Sequence, residues 1–267
     1  MAPFGLSAAG KNLPVGLELF SVRGELAKDL KGTVTQVAKM GYQVVEFYAP
    51  YFQWSQEQAR DIRKLLDDLG IRCLSTHNGM ASFIDPGINK AIDYNQILGA
   101  KYVICASAGQ PTTIDGWKQL GGTFTKASEK LRAAGLRAGY HNHQLEFRPV
   151  EGKLPMEALA ASTPKDFVLQ FDVGTCVEVG YDPVQWINAN PGRIQSLHCK
   201  DWAPGARADE KEYRVLVGEG VCPWKQIFDA AEKTGGVEYY LLEQEGSRYP
   251  EFETAQRCLD NWKKLRA

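Results

Sequence analysis

The chain has 267 residues, of which 44% are hydrophobic and 10% aromatic, so it can bury a large core. Its 31 basic and 32 acidic residues give a formal net charge of −1, and no basic run or basic amphipathic helix stands out. Nucleic acids and membrane surfaces are therefore not expected as partners. No segment approaches the ~20 consecutive apolar residues that a membrane-spanning helix needs.

The six cysteines are scattered without CxxC spacing, which favours reduced or buried thiols over a disulfide framework. Residues 1–15 contain no charged region followed by a long apolar stretch, so they do not form a secretory signal as they stand. We expect a cytoplasmic protein, or a periplasmic one if residues 1–15 are the remnant of a trimmed export signal.

Short apolar runs alternate with longer amphipathic stretches along the whole chain. In chain order, the predicted strands are 15–20, 43–48, 71–76, 101–106, 136–141, 167–173, 194–199 and 238–243. The predicted helices lie near 28–40, 55–69, 86–98, 115–134, 154–162, 183–190, 223–234 and 250–265. Eight strands alternating with eight helices predict the α/β class and a single (β/α)8 TIM barrel domain over residues 1–267.

Two further features agree with this alternation. Glycines directly follow five predicted helices, where a left-handed residue favours the end of a helix; they are Gly41, Gly70, Gly99, Gly135 and Gly235. The longest irregular segment, 201–222, follows the seventh strand and is long for a loop between a strand and a helix. Such a loop on a barrel rim is often a lid or a substrate clamp.

Polar residues occupy most of the predicted strand ends. The active site of a TIM barrel lies at the carboxyl ends of its strands, so these residues are candidates for it. A single one is usually a salt-bridged or capping residue, whereas several together indicate a site, because an unpaired buried carboxylate is costly. The candidates are Glu18, Glu46, His77, Ser107, the segment 141–146, Asp172, His198, Lys200 and Glu243.

Four of the residues near these strand ends are potential metal ligands. Their spacing places one of them in each successive unit of a strand and a helix. Asp172 follows Glu146 by 26 residues, His198 follows Asp172 by 26, and Glu243 follows His198 by 45. Three carboxylates and one imidazole form a divalent-metal site, which would also resolve the cost of burying the charges. Its oxygen-rich ligands favour Mn²⁺ first, then Mg²⁺, Co²⁺ or Zn²⁺.

The chain resembles the sugar phosphate isomerase/epimerase family, the xylose isomerase-like barrels, over nearly its whole length. The motifs that carry the resemblance are GLELFSVR at 16–23, YHNHQLEF at 140–147, FDVGT at 171–175, HCKD at 198–201, GEGVCPW at 218–224 and LLEQE at 241–245. In that family one metal ion is held by Glu, Asp or a substitute, His and Glu from the later strands. The resemblance implies the same roles for Glu146, Asp172, His198 and Glu243.

Strand five departs from the family pattern. Many members have a glutamate directly at its end, where this chain has His141. The residues by themselves leave open whether Glu146, His141 or His143 supplies the ligand, and the resemblance favours Glu146.

The same strand ends supply candidates for catalysis and substrate binding. His143 is the preferred acid/base, because an imidazole suits proton transfer near neutral pH, with Glu146 or Glu243 as alternatives. Lys200 is expected either to stabilise an enolate oxygen or to pair with Asp201. The predicted substrate-binding residues are Glu18, His77, His141 and Arg214, the last of which would otherwise be a solvated loop charge.

These features predict a metal-dependent isomerase or epimerase that removes a proton next to a carbonyl of a sugar or keto-sugar. A lyase that cleaves 3-oxo-glycosides by β-elimination from the same enolate is an alternative, because the YHNHxxEF form resembles members associated with that cleavage. A non-catalytic sugar-binding or assembly subunit is an alternative of another class. The expected partner is a small-molecule sugar, and a homo-oligomer is compatible with the sequence.

Overall fold

The computed structural model describes residues 13–205 and 212–267. Eight parallel strands pair in chain order, and β8 pairs with β1 to close a barrel. The strands are β1 Val15–Glu18, β2 Val44–Phe47, β3 Arg72–Gly79, β4 Tyr102–Ser107, β5 Arg137–His141, β6 Val168–Asp172, β7 Ser196–Cys199 and β8 Tyr239–Leu242. The predicted TIM barrel is therefore confirmed.

Helices surround the barrel between the strands. They are α1 Arg23–Lys28, α2 Leu30–Met40, α3 Gln56–Leu69, α4 Gly87–Leu98, α5 Ile114–Ala133, α6 Pro155–Ala161, α7 Val173–Glu178, α8 Pro183–Ala189, α9 Trp224–Ala230 and α10 Glu251–Arg266. None of the helices in the described ranges is both long and apolar enough to cross a membrane. All six cysteines are buried free thiols, as the sequence indicates.

Most boundaries shift by a few residues, and three of the differences have a local physical reason. The predicted helix 28–40 corresponds to α2, which begins at Leu30 because Asp29 is extended and its side chain accepts a hydrogen bond from the Gly32 amide at 2.9 Å; α1, before it, is unpredicted. The predicted strand 167–173 ends at Asp172, whose side chain caps the unpredicted helix α7. After α9, a π-helical turn continues to residue 235, so the left-handed cap is Gly236 and not Gly235.

Alternation along the strands fills the inside of the barrel in layers, because successive side chains point to opposite faces of a strand. Glycine at 139 leaves room inside, since a Cβ there would lie 2.5 Å from the Ile104 Cδ1 atom. The apolar layer inside the barrel consists of Val44, Leu74, Tyr102, Ile104, Val168, Tyr239 and Leu241. Two residues further along several strands, at their carboxyl ends, the inward positions are polar and form the candidate site.

Candidate active site

His198 lies at the centre of the polar layer, between two carboxylates. Its Nδ1 atom is 2.6 Å from Glu243 Oε2, and its Nε2 atom is 2.8 Å from Glu46 Oε2. Strand β7 pairs directly with β8, whereas Glu46 reaches His198 across the inside of the barrel from β2. Glu46 also accepts hydrogen bonds from Ser75 and from Gln170 Nε2, the latter at 2.9 Å.

The two carboxylates determine the charge of His198. Burial by itself lowers the pKa of His198, but the hydrogen bonds with Glu243 and Glu46 outweigh that effect and raise this pKa to about 10. Burial would raise the pKa of Glu243, yet Lys200 and His198 hold it below its ordinary value. In the absence of a metal ion, the imidazole is therefore a buried cation that binds both carboxylates.

His141 and Asp172 lie beside this pair and complete a group of potential metal ligands. Ligand atoms of His141, Asp172 and Glu243 all lie within 4.8 Å of one another, and those of His77, His141 and His198 form a second such group. Burial lowers the pKa of His141 well below its ordinary value, with His198 and His77 acting in the same direction. Its Nδ1 atom is buried and has no hydrogen-bond partner among the described residues. A neutral imidazole with a free nitrogen is suited to binding a metal ion.

Lys200 also contacts the carboxylates of Asp172 and Glu243. Its Nζ atom is 2.9 Å from Asp172 Oδ2, 3.2 Å from Glu243 Oε1 and 2.6 Å from Glu245 Oε1. Burial lowers its pKa, but these carboxylates outweigh that effect and hold the pKa well above its ordinary value. Lys200 therefore pairs with carboxylates other than Asp201, and its other expected role, stabilising an enolate oxygen, stays a prediction.

A cavity of about 510 Å³ opens above this layer. Glu18, predicted to bind substrate, lines the cavity with only 1% of its surface exposed, and its Oε1 atom has no hydrogen-bond partner among the described residues. Burial, together with Glu243 and Glu46, raises the pKa of Glu18 well above its ordinary value. His77, His141 and His143 also line the cavity, and the substrate-binding roles of His77 and His141 stay predictions.

Glu146 lies apart from these groups. It is 1% exposed, and its two carboxylate oxygens accept hydrogen bonds from the Tyr140 hydroxyl at 2.6 Å and from the His143 amide at 2.7 Å. These bonds fix the turn after β5 and orient the chain at His143. The role of Glu146 as a metal ligand stays a prediction that this geometry does not favour. His141, at the end of β5, is better placed.

Arg214 does not line the cavity. Its side chain is exposed and donates a hydrogen bond to the Ser247 carbonyl oxygen at 3.3 Å. The predicted lid 201–222 is described only at 201–205 and 212–222, and the expected export-signal remnant at 1–15 is described only at 13–15.

Asp201 holds the loop after β7 in place. Its Oδ2 atom accepts hydrogen bonds from the Gly218 and Gly220 amides at 2.8 and 3.1 Å and from Trp224 Nε1 at 2.8 Å. Its Oδ1 atom accepts hydrogen bonds from the amides of Trp202 and Cys222. This aspartate therefore orders both ends of the segment beside the site.

We expect Asp201→Ala to lower the free energy of unfolding by about 3 kcal/mol or more, because each buried donor left without a partner costs about 1–3 kcal/mol. Urea denaturation followed by circular dichroism measures this loss. Asp229→Asn, at an exposed position on α9, is the control and should change stability by less than about 0.5 kcal/mol. Equal stability of the two variants would contradict the anchoring role.

Several residues in the candidate site have no specific predicted role, although Glu46 is among the candidates at strand ends. Glu46 stands at a predicted strand end, but its contact with His198 crosses the barrel and leaves no local signal. Gln170 precedes Asp172 by two positions and so shares its inward face, which the alternation could have indicated. The other residues lining the cavity without a predicted role include Phe20, Tyr48, Asn78 and Glu245.

The residues present fit a divalent metal ion. The candidate donors are two imidazoles and two carboxylates; His141 Nε2 lies 3.8 Å from Asp172 Oδ2, and His141 Nδ1 is buried without a partner among the described residues. The centre also has more carboxylates than cations, because Lys200 and protonated His198 face four carboxyl groups. The carboxyl groups in contact with these cations are Glu46, Asp172, Glu243 and Glu245. This excess of negative charge in the metal-free protein favours a further bound cation, and His198 would release its proton on becoming a ligand.

Among solved structures, the chain is similar to a sugar phosphate isomerase/epimerase from Parabacteroides distasonis ATCC 8503, with 25% sequence identity, a TM-score of 0.79 and coverage of 98% of this chain and 97% of that chain. A structure of IOLI protein with a binding zinc atom is 15% identical, with a TM-score of 0.74 and coverage of 95% and 98%. A D-psicose 3-epimerase in the presence of D-fructose is 13% identical, with a TM-score of 0.69 and coverage of 95% and 99%. The last two likenesses concern the fold alone.

No match to the chain was found among curated protein sequences. A family model described as xylose isomerase-like TIM barrel matches residues 34–265, which is most of the chain. That match agrees with the closed barrel and with the motifs that carry the resemblance. The chain therefore belongs to the xylose isomerase-like TIM barrel family.

Proposed function

We propose that this protein is a metal-dependent isomerase or epimerase that removes a proton next to a carbonyl of a sugar or keto-sugar. The observation that carries this proposal is the group of His141, Asp172 and Glu243, with His198 hydrogen-bonded to Glu243, beneath the cavity at the carboxyl end of the barrel. A bound divalent ion would polarise the carbonyl and stabilise the negative charge that develops on its oxygen.

The proposed ligand set changes the preference among metals. Replacing Glu146 by His141 gives two nitrogen and two oxygen ligands in place of one nitrogen and three oxygens. Imidazole favours first-row transition metals over Mg²⁺, so Mn²⁺, Co²⁺ and Zn²⁺ are the proposed ions.

His143 is the proposed acid/base. It is half-buried, it lines the cavity, and its ring centroid lies 5.0 Å from that of His141. The His143 amide donates a hydrogen bond to Glu146, which holds the backbone from which the imidazole projects. An imidazole in this position is suited to taking a proton from a sugar carbon and returning it, on the opposite face for an epimer or at the neighbouring carbon for an isomer.

Glu18 is the proposed hydrogen-bond donor to the substrate. Burial, Glu243 and Glu46 raise the pKa of Glu18, which favours the protonated carboxyl group, and its Oε1 atom has no partner among the described residues. A neutral carboxylic acid can donate a hydrogen bond to a sugar oxygen without adding charge to a centre already rich in carboxylates.

The cavity favours a sugar without a phosphate group. Three of its lining residues are glutamates, and none of the described lining residues is a lysine or an arginine. A phosphate dianion would lose its hydration there without gaining a charged hydrogen-bond donor from the wall.

A second cavity favours the lyase as a second candidate. It has a volume of about 320 Å³ and shares Ala106, Ser107 and His143 with the first. A substrate with two parts could place its oxo-sugar in the first cavity and its leaving group in the second. His143, at the junction, would then serve both to remove the proton and to protonate the departing oxygen.

Turnover in D2O tests the proposal. The Mn²⁺-loaded protein is incubated with a panel of ketoses and 3-oxo-glycosides, and the products are analysed by mass spectrometry and NMR. We expect deuterium at the carbon beside the carbonyl of an epimerised or isomerised product, whereas release of an aglycone would indicate the lyase. Turnover without any label would contradict exchange of the proton with solvent and indicate hydride transfer or internal proton return. Tight sugar binding without turnover would support the binding-subunit alternative.

A further inference from the structure

Lys200 is a buried ammonium group among carboxylates that the proposed metal would use. Only 1% of its surface is exposed. Two of its three partners, Asp172 Oδ2 at 2.9 Å and Glu243 Oε1 at 3.2 Å, belong to the proposed metal ligands. The third partner, Glu245 Oε1 at 2.6 Å, does not.

The lysine and a divalent ion have conflicting requirements. Both are attracted to the oxygens of Asp172 and Glu243, and the two cations repel each other strongly at short distance within the barrel. The lysine cannot release the oxygens by extending into solvent, because it is enclosed. It can, however, remain bound to Glu245, whose side chain is 43% exposed and which lines the cavity.

We propose that Lys200 is a resident cation that competes with the divalent metal for Asp172 and Glu243, and that it keeps Glu245 as its carboxylate partner when the metal binds. This inference rests on the proposed function for its metal centre. The lysine holds the buried carboxylates together in the metal-free protein. Lys200 also makes the affinity for the metal lower than the same ligands would have without the lysine.

Calorimetric titration of the full-length protein with MnCl2, without any sugar, tests the competition. Lys200→Met removes the ammonium but retains most of the length of the apolar stem. We expect its Kd for Mn²⁺ to be at least about tenfold lower than that of the wild type, or about 1.4 kcal/mol. Lys225→Met, at an exposed position on α9, is the matched control and should leave the Kd unchanged.

Thermal unfolding gives a second measurement that does not depend on turnover. Without Lys200, Asp172 and Glu243 lose their ammonium partner, so the metal-free Lys200→Met variant should have a lower Tm than the wild type. Saturating Mn²⁺ should raise the Tm of the variant by more than it raises that of the wild type. If the variant folds only with metal, it is purified with Mn²⁺, and the chelator concentration that removes the ion is compared with that for the wild type.

Glu245→Gln separates this mechanism from a general effect of charge. It should weaken Mn²⁺ binding in the wild-type background, because the lysine then loses its alternative partner. In the Lys200→Met background the same substitution should have a clearly smaller effect. Equal effects in both backgrounds would show that Glu245 acts only through its charge. That result would contradict its proposed role as the partner that Lys200 keeps when the metal binds.

The outcomes distinguish this inference from the proposed function. Mn²⁺ binding by the wild type with equal or weaker binding by Lys200→Met overturns the competition and leaves the metal centre standing. Binding by Lys200→Met alone supports the competition and overturns the proposal of a metal-dependent wild-type enzyme. Absence of binding in both proteins overturns both proposals.

Discussion

Replacing Glu243 by glutamine, or His198 by alanine, is expected to abolish turnover while leaving the barrel folded. The two side chains lie 2.6 Å apart at the base of the cavity, and both are proposed metal ligands. A metal ion supplies several kcal/mol of stabilisation to developing negative charge, and each 1.36 kcal/mol is a factor of ten in rate. We therefore expect a loss in kcat/KM of about 10³-fold or more.

The measurement combines kcat/KM on the substrate found in the D2O panel with metal content and the far-ultraviolet circular dichroism spectrum. Glu129→Gln, at an exposed position on α5, is the control and should retain full activity. Wild-type turnover by a metal-free Glu243→Gln variant would contradict the proposed centre. Loss of the native spectrum in His198→Ala would instead show that Glu46 and Glu243 cannot be buried without the imidazole.

His143→Ala is expected to lower kcat by about 10²–10⁴-fold, which is the usual contribution of general acid–base catalysis. Metal binding should be unchanged, because His143 belongs to neither group of potential ligands. The measurement is single-turnover kinetics together with calorimetric titration by Mn²⁺.

His141→Ala is the matched comparison, because the His141 ring neighbours that of His143 and His141 ends β5 two residues earlier. This variant should lose metal affinity together with turnover. Loss of metal in His143→Ala, or its retention in His141→Ala, would show that the two histidines have been assigned the wrong roles.

The sequence by itself determined the architecture and named most members of the candidate site. Alternating apolar and amphipathic segments specify strands and helices locally, and parallel strands separated by helices bring their carboxyl ends to one rim. Asp172, His198 and Glu243 could therefore be predicted to meet without knowledge of any contact. The boundaries at Asp29 and Asp172 were less predictable, because a side-chain cap competes there with continuation of the element.

Only the tertiary structure decided which partners the buried charges have. The sequence leaves Glu146, His141 and His143 as alternatives at strand five, and in the structure Glu146 accepts hydrogen bonds from the Tyr140 hydroxyl and the His143 amide. Lys200 likewise contacts Asp172, Glu243 and Glu245 in place of its chain neighbour Asp201.

The contact between Glu46 and His198 spans 152 residues of sequence. The reason is geometric. The strand register and closure of the barrel set which inward side chains meet, and these depend on all eight strands together. Alternation within one strand tells only that a side chain points inward, so the sequence can name the members of the site but not their pairing.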